Sequence, residues 1–297
     1  MTDQLVQFSD ALAARVEFTK PTAVALRLAH ERYVSGIAWR PDAIIASEQS
    51  LPERDEFEVV TAGGAVTTAK VAGRDSSTNI AVLRVQEPLA SSSITTSEAR
   101  AGAVVIAIGA DGTGGASARL GVVNIAGPKW HSSRGGLIDR RIALDVRLAR
   151  SEEGGPIFDA AGNCIGMSTF GPRGQVLVIP AATIDRIVPT LLKDGRVARG
   201  WLGVTLQAVA VPDALRETID QSSGLMVMSV VENGPAAQAG IVAGDIILSV
   251  DRTSTHRFRK IARYFGSESI GRKAELRVIR SGTVVTVKTT IAERPVA

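Results

Sequence analysis

Apolar residues recur at three- and four-residue steps over Leu5, Phe8, Leu12 and Val16. That spacing predicts a short amphipathic helix at the N-terminus. The period then changes. Val24, Leu26 and Leu28 alternate with smaller or polar neighbours, as a half-buried strand does. From there to about Pro180 one short apolar run follows another: 36–39, 44–46, 57–60, 81–85, 103–108 and 121–125. Turn-forming stretches separate them, among them Arg40-Pro41-Asp42, Ala62-Gly63-Gly64 and Asp111-Gly112-Thr113-Gly114-Gly115. Many short strands at this spacing predict a sandwich or barrels.

Helical periodicity returns at Ile184, Ile187, Val188, Leu191 and Leu192, and Gly195 stands where a C-terminal cap belongs. Pro189 is expected to kink or shorten this helix. Strands are predicted again at 203–209, 225–231, 245–250, 274–280 and 284–291, with a turn into a short helix at 234–240. Phe258, Ile261, Ala262 and Phe265 mark a later amphipathic helix. The division this suggests is a helical segment over 1–19, a β domain over 20–195 and a second domain over 196–297.

A chain of 297 residues exceeds one typical domain and can bury a core without staples. Aromatics are few (4%) and glycines many (29), which suits strands and turns better than long helices. The net charge of +4 is too mild for the dense basic footprint of a nucleic-acid binder. Cys164 is the one cysteine, so no intrachain disulfide forms, and its apolar surroundings predict a buried spectator. No run of about 18 apolar residues predicts a membrane span. The first fourteen residues contain Asp3 and Asp10 and lack the apolar stretch of an export signal, so a cytoplasmic location is expected.

Several segments occur in the order of a known family. They are Ser35-Gly36-Ile37, the run 75–83 (DSSTNIAVL), Val105-Ile106-Ala107-Ile108-Gly109, Gly154-Gly155-Pro156-Ile157-Phe158-Asp159, Ile179-Pro180, Arg199-Gly200-Trp201-Leu202-Gly203-Val204, Gly234-Pro235-Ala236-Ala237-Gln238-Ala239-Gly240 and the run 243–248 (AGDIIL). The ordered set resembles the high-temperature-requirement A (HtrA) proteases over roughly residues 20–292. The fold this implies is all-β dominated: a trypsin-like double β-barrel followed by a PDZ domain.

The resemblance alone implies a serine endopeptidase. Its mechanism needs a serine hydroxyl, an imidazole to take the proton and a carboxylate to orient that imidazole. On this alignment Gln49 stands at the histidine position, Asn79 at the aspartate position and Glu153 at the serine position. Gln49 has no titratable nitrogen near neutral pH and cannot act as a base. Asn79 supplies no charge to an imidazolium. A carboxylate at 153 would repel a developing oxyanion. Arg150-Ser151-Glu152 replaces the family's proline-glycine-asparagine, and Arg150 is a candidate partner for Glu152 or Glu153. Val176 replaces a glycine bordering the substrate pocket and is expected to narrow the cleft. Ser50 and Ser151 lie near the old site but have no assigned base, although His131 sits in a loop. Glu152 and Glu153 are adjacent, so in extended chain they point apart, and no metal site is expected. No cofactor is expected either.

The expected function is therefore a catalytically inactive HtrA-like pseudoprotease that binds polypeptides as a scaffold or regulator. Its rivals are an active serine endopeptidase of unusual constellation and a purely structural oligomer with a closed groove. PDZ domains add a peptide's C-terminal strand to a sheet edge and hold its carboxylate on backbone N–H groups. The resemblance places that site at Trp201, Leu202, Gly203 and Val204, with Phe258 and Ile261 on the facing helix. Arg257, Arg259, Lys260 and Arg263 make that helix basic. Family relatives form trimers through N-terminal segments, which makes Leu5, Phe8 and Leu12 the expected seam of a homotrimer.

Overall fold

The computed structural model describes residues 3–29, 32–89, 94–219, 221–255, 261 and 263–295. It divides into two compact units. The first comprises residues up to 130 together with 138–197, and the second comprises 131–137 with 198–297.

The first unit opens with helix α1 (Gln4–Thr19), started by Asp3, whose carboxylate accepts from the Leu5 N–H. Leu12 and Val16 pack against the core of this unit, while Leu5 and Phe8 are 70% and 51% exposed. The predicted stripe is thus split between a buried half and a bare half.

Six strands follow: β1 (Ala23–Arg27), β2 (Tyr33–Arg40), β3 (Ala43–Ser47), β4 (Glu56–Val60), β5 (Val66–Asp75) and β6 (Ile80–Val85). They close into an antiparallel barrel in the order β1-β2-β3-β6-β5-β4. A second barrel uses β7 (Val104–Ala110), β8 (Ala116–Gly127), β11 (Arg141–Asp145), β12 (Pro156–Asp159), β13 (Cys164–Phe170) and β14 (Val176–Pro180), in the order β11-β14-β13-β12-β7-β8. A small hairpin, β9 (Trp130–His131) with β10 (Leu137–Ile138), stands between β8 and β11 in sequence. Closure leaves no open sheet edge in either barrel.

The continuous apolar runs have a physical cause. Along β3, Ile44 and Ala46 point into the first barrel with Leu26, Phe57 and Leu83. Ala43 and Ile45 point outward into a larger core shared with Ile108, Phe158 and Met167 of the second barrel. A strand buried on both faces shows no polar alternation. Helix α2 (Ala181–Asp194) covers this shared core with Ile184, Ile187, Val188 and Leu191. It runs through Pro189 rather than stopping there, and ends on Gly195 at φ 71°. The interior of the second barrel holds Ile142, Leu144, Ile157 and Val176. Val176 is therefore a core residue, 2% exposed, and does not narrow a cleft. Cys164 is fully buried, and burial pushes its thiol up to about 12, which makes it inert.

The second unit contains the two-stranded pair β15 (Gly200–Trp201) and β22 (Ala292–Glu293). Its main sheet runs β16 (Val204–Ala210), β17 (Ser223–Val230), β18 (Ile246–Val250), β20 (Lys273–Arg280), β21 (Thr283–Thr290), with the short β19 (Thr253–Ser254) beside β18. One face buries Leu202, Leu225, Val227, Ile247, Leu276 and Val278. The other buries Val211, Ile246, Leu248 and Ile279 together with Leu215 of helix α3 (Asp213–Ile219). The short helix α4 (Pro235–Gln238) begins on Pro235, whose missing N–H costs nothing at a helix start. Asp245, 1% exposed, is fixed by Arg280, with Nε 2.9 Å from Oδ1 and a terminal nitrogen 2.7 Å from Oδ2.

Candidate functional site: a carboxylate network and an apolar groove

Gln49, Asn79 and Glu153 converge within the first unit. Ser47 ends β3, and Gln49 follows on a 3-10 turn over Glu48–Ser50. Asn79 sits just before β6 at φ 60°, a left-handed conformation that asparagine tolerates. The turn that presents it is organised by Asp75, whose carboxylate accepts from the Ser77 N–H (3.0 Å), Ser77 Oγ (2.6 Å) and Thr78 Oγ1 (2.7 Å). Asn79 Oδ1 in turn accepts from the Gln49 N–H at 2.8 Å.

Glu153 is carried on a backbone held from two sides. The Ser35 N–H donates to its carbonyl, Ser35 Oγ to the Ser151 carbonyl, and Ser168 Oγ to the Glu152 carbonyl. Gly154 follows at φ 89°, and a Cβ there would lie 2.2 Å from the Ser35 carbonyl oxygen. A Cβ on Gly155 would lie 2.1 Å from the Ile108 carbonyl oxygen. Only glycines allow this approach, which accounts for the Gly-Gly-Pro motif.

The Glu153 side chain, 7% exposed, gathers its donors on one oxygen. Oε1 accepts from Gln49 Nε2 (2.6 Å), Ser47 Oγ (2.9 Å), Thr169 Oγ1 (3.0 Å) and the Phe170 N–H (3.4 Å). Asn79 Nδ2 donates to Ser47 Oγ (2.9 Å) and Thr169 Oγ1 (2.7 Å). Each hydroxyl thus accepts from an amide and donates to the carboxylate. Buried polar groups need such partners, and the network closes with its members satisfied. The Glu153 N–H donates to the Arg150 carbonyl at 3.3 Å, so it is turned inward on the 3-10 turn over Arg150–Glu152.

Glu152 is also buried. Its Oε1 accepts from Ser117 Oγ (2.5 Å) and Arg119 Nε (3.0 Å), and Oε2 from the Ala149 N–H (2.6 Å). Burial pushes this carboxyl up, but the three donors outweigh it and hold it below its ordinary value. The partner of Glu152 is therefore Arg119 on β8, not Arg150 as the sequence suggested. Arg119 is 33 residues away, and no local pattern announces it. Ser47 and Thr169 were likewise invisible as site residues, since a strand hydroxyl carries no sequence signal of its own.

A cavity of about 780 Å3 opens beside these carboxylates, lined in part by Tyr33, Gln49, Ser50, Arg119, Ser151 and Glu153. The Ser50 hydroxyl donates to the Ser47 carbonyl at 2.7 Å. Among the described residues no histidine hydrogen-bonds Ser50, Ser151 or Glu153. His131 is exposed on β9. Among the described residues no group of three or more acidic, histidine or cysteine side chains is arranged to hold a metal ion.

In the second unit a cavity of about 290 Å3 is lined by Trp201, Leu202, Val204, Leu225, Ile261 and Phe265, among others. Leu202 is 4% exposed and belongs to the core as well as the cavity wall. Val204 is half-buried. Gly203 has φ 77°. The Leu202 carbonyl accepts from the Ala236 N–H (2.9 Å) and the Gly203 carbonyl from the Val231 N–H (2.8 Å), which fixes the loop. Phe258 and the basic residues 257, 259 and 260 lie outside the described residues. Ile261 is 3% exposed and lines the cavity.

Residues 34–167 match the family model of the trypsin-like peptidase domain, and residues 200–291 that of the PDZ domain. A probable periplasmic serine endoprotease, DegP-like, from Brucella suis is 32% identical over 283 residues, 91% of this chain and 55% of the relative. Its namesake from Bartonella henselae is 31% identical over 290 residues, 93% of this chain and 57% of the relative. The chain spans just over half the length of these curated relatives. Among solved structures, the serine endoprotease from Yersinia pestis aligns with a TM-score of 0.70 at 25% identity, covering 95% of this chain and 98% of that one. The HtrA-type protease AlgW with tripeptide aligns at 0.67 and 26%, covering 96% and 98%.

The relatives are named as periplasmic, which overturns the cytoplasmic expectation. That expectation rested on the first fourteen residues. A compartment is addressed by a separable leader, so the composition of a folded domain is silent about it. With its barrels, its sheet domain and these relatives, the chain belongs to the HtrA family, a trypsin-like peptidase domain followed by a PDZ domain.

Proposed function

We propose that this chain is a non-hydrolytic HtrA-type protein that captures polypeptides through its PDZ domain and serves as a scaffold or regulator in the periplasm. The observation that carries this reading is the carboxylate of Glu153. It occupies the position aligned with the nucleophile and is bonded by Gln49 and Ser47 at 2.6 and 2.9 Å.

A carboxylate so held cannot do a serine's work in this frame. Acyl transfer needs a base to take the nucleophile's proton, and Gln49 offers only an amide. It also needs N–H donors aimed at the developing oxyanion. The N–H at position 153 is spent on the Arg150 carbonyl, and a negative charge stands beside it. The relatives carry the name of endoproteases. The departure from them proposed here rests on Gln49, Asn79 and Glu153.

Binding is the function left to the groove. Both carbonyls of the Leu202–Gly203 loop are tied down, so the loop's N–H groups are what it can offer to a carboxylate. Val204, Ile261 and Phe265 supply an apolar cavity for the last side chain. A C-terminal peptide library screened against the full chain tests this. Selection of a shared apolar C-terminus supports capture, and no selection favours a purely structural oligomer. Labelling by a fluorophosphonate probe would overturn the non-hydrolytic reading.

A further inference from the structure

Behind the Trp201–Gly203 loop lies a second concavity of about 570 Å3, distinct from the apolar groove. Among the described residues Trp201 is the one that lines both. The groove side is walled by Leu202, Val204, Leu225 and Ile247. The rear side is polar: Asn233, Gln238, Lys273, Lys288, Thr289 and Thr290 contribute to it. Among the described residues its lining includes two ammonium groups and no carboxylate.

The placement follows from sheet register. Lys273 stands opposite Thr290, and Lys288 opposite Glu275, across the β20–β21 ladder. Directly opposed residues share a face, so both lysines point to one side of the sheet. Glu275 is the acid nearest in register, yet it does not line the pocket. Neither lysine forms an ion pair among the described residues. Thr289 Oγ1 donates to the Pro235 carbonyl at 3.0 Å, which fastens the wall of the pocket to α4. A concave surface lined by charges of one sign concentrates ions of the other.

We propose that this pocket binds a small anion bearing carboxylate or phosphate groups, held between Lys273 and Lys288 with Thr290 as a neutral partner on the same face of the sheet. The proposal does not depend on whether the first unit hydrolyses peptides. Trp201 closes the site on the groove side and packs over Gly203, where an added Cβ would lie 3.1 Å from the indole. Occupancy is therefore readable in its fluorescence.

The test is calorimetric and fluorescence titration of the full chain with inorganic phosphate and, separately, with citrate. The expected result is saturable binding of at least one anion, weakened about tenfold in K273Q/K288Q by loss of two charge contacts. K273R/K288R should retain it, and the fluorescence change should vanish in W201F while the heat remains. Binding of phosphate alone assigns a phosphate ligand, and binding of citrate alone a carboxylate. Absence of saturation with both anions, or equal affinity in K273Q/K288Q, overturns the proposal.

Discussion

Gln49 Nε2 lies 2.6 Å from Glu153 Oε1, a bond between residues 104 positions apart in sequence. It joins the end of the first barrel's third strand to the turn entering the second barrel's β12. On the function proposed here these two residues stand for base and nucleophile, and the bond between them runs from an amide to a carboxylate. Nothing in it moves a proton.

Restoring the serine alone should not restore hydrolysis. Glu153→Ser places a hydroxyl beside Gln49, which cannot deprotonate it. We expect no fluorophosphonate labelling of the variant. Labelling would mean that a base outside this network serves the site.

Removing the carboxylate should cost stability. Glu153→Ala strands the hydroxyls of Ser47 and Thr169 in a buried site, while the exposed Gln49 amide keeps Thr169 Oγ1 and the Phe170 carbonyl as acceptors. An unsatisfied buried group costs about 1–3 kcal/mol. A drop of that order in urea-unfolding free energy, with Glu153→Gln less affected, is the expected outcome.

Buried Asp245, paired with the part-exposed Arg280, sets a pH dependence. Burial pushes the Asp245 carboxyl up, but the Arg280 guanidinium and the Val242 N–H hold it below its ordinary 3.8. Glu152 is likewise held below 4.5. For a depressed carboxyl the unfolded chain takes up its proton first as pH falls. The stabilisation is then complete above the ordinary values and is lost as pH drops through the folded ones. Stability should be level near neutrality and decline below about pH 4.5. Arg280→Ala takes the cation from buried Asp245 and, because Arg280 itself is part-exposed, should cost about 1–3 kcal/mol at pH 7. The gap between parent and variant should narrow on acidification, measured by denaturant titration across the series.

How much of this was legible beforehand depended on range. The strand pattern, the helix ending on Gly195 and the two-domain order came from local periodicity and turn residues, which act over a few positions. The Gly154-Gly155-Pro156 motif located the turn because close backbone approach leaves a composition mark. The partners of the carboxylates left none. Arg119, Ser117, Ser47 and Thr169 reach Glu152 and Glu153 only through barrel closure. Val176 was misread for a related reason: one-residue alternation decides whether a strand residue faces cleft or core. Pro189 was overrated because a proline in an amphipathic helix can be carried by packing on a large core.

The groove gives a separate prediction. Val204 is half-buried on the cavity wall, so Val204→Asp sets a charge there without emptying the core. Affinity for an apolar C-terminal peptide should fall about tenfold or more in fluorescence anisotropy, given what burying a charge in an apolar cavity costs. Unchanged affinity would place the peptide elsewhere.

Leu5 and Phe8 leave an apolar stripe bare on α1. We propose that this stripe joins copies of the chain. Phe8→Asp should shift sedimentation toward the monomer, and an unchanged mass would refute the idea.

The most direct test of the central claim is cleavage of casein by the purified chain beside its Glu153→Ala variant. We expect no cleavage by either protein. Cleavage by the parent that disappears in the variant would contradict it, because Glu153 would then take part in catalysis.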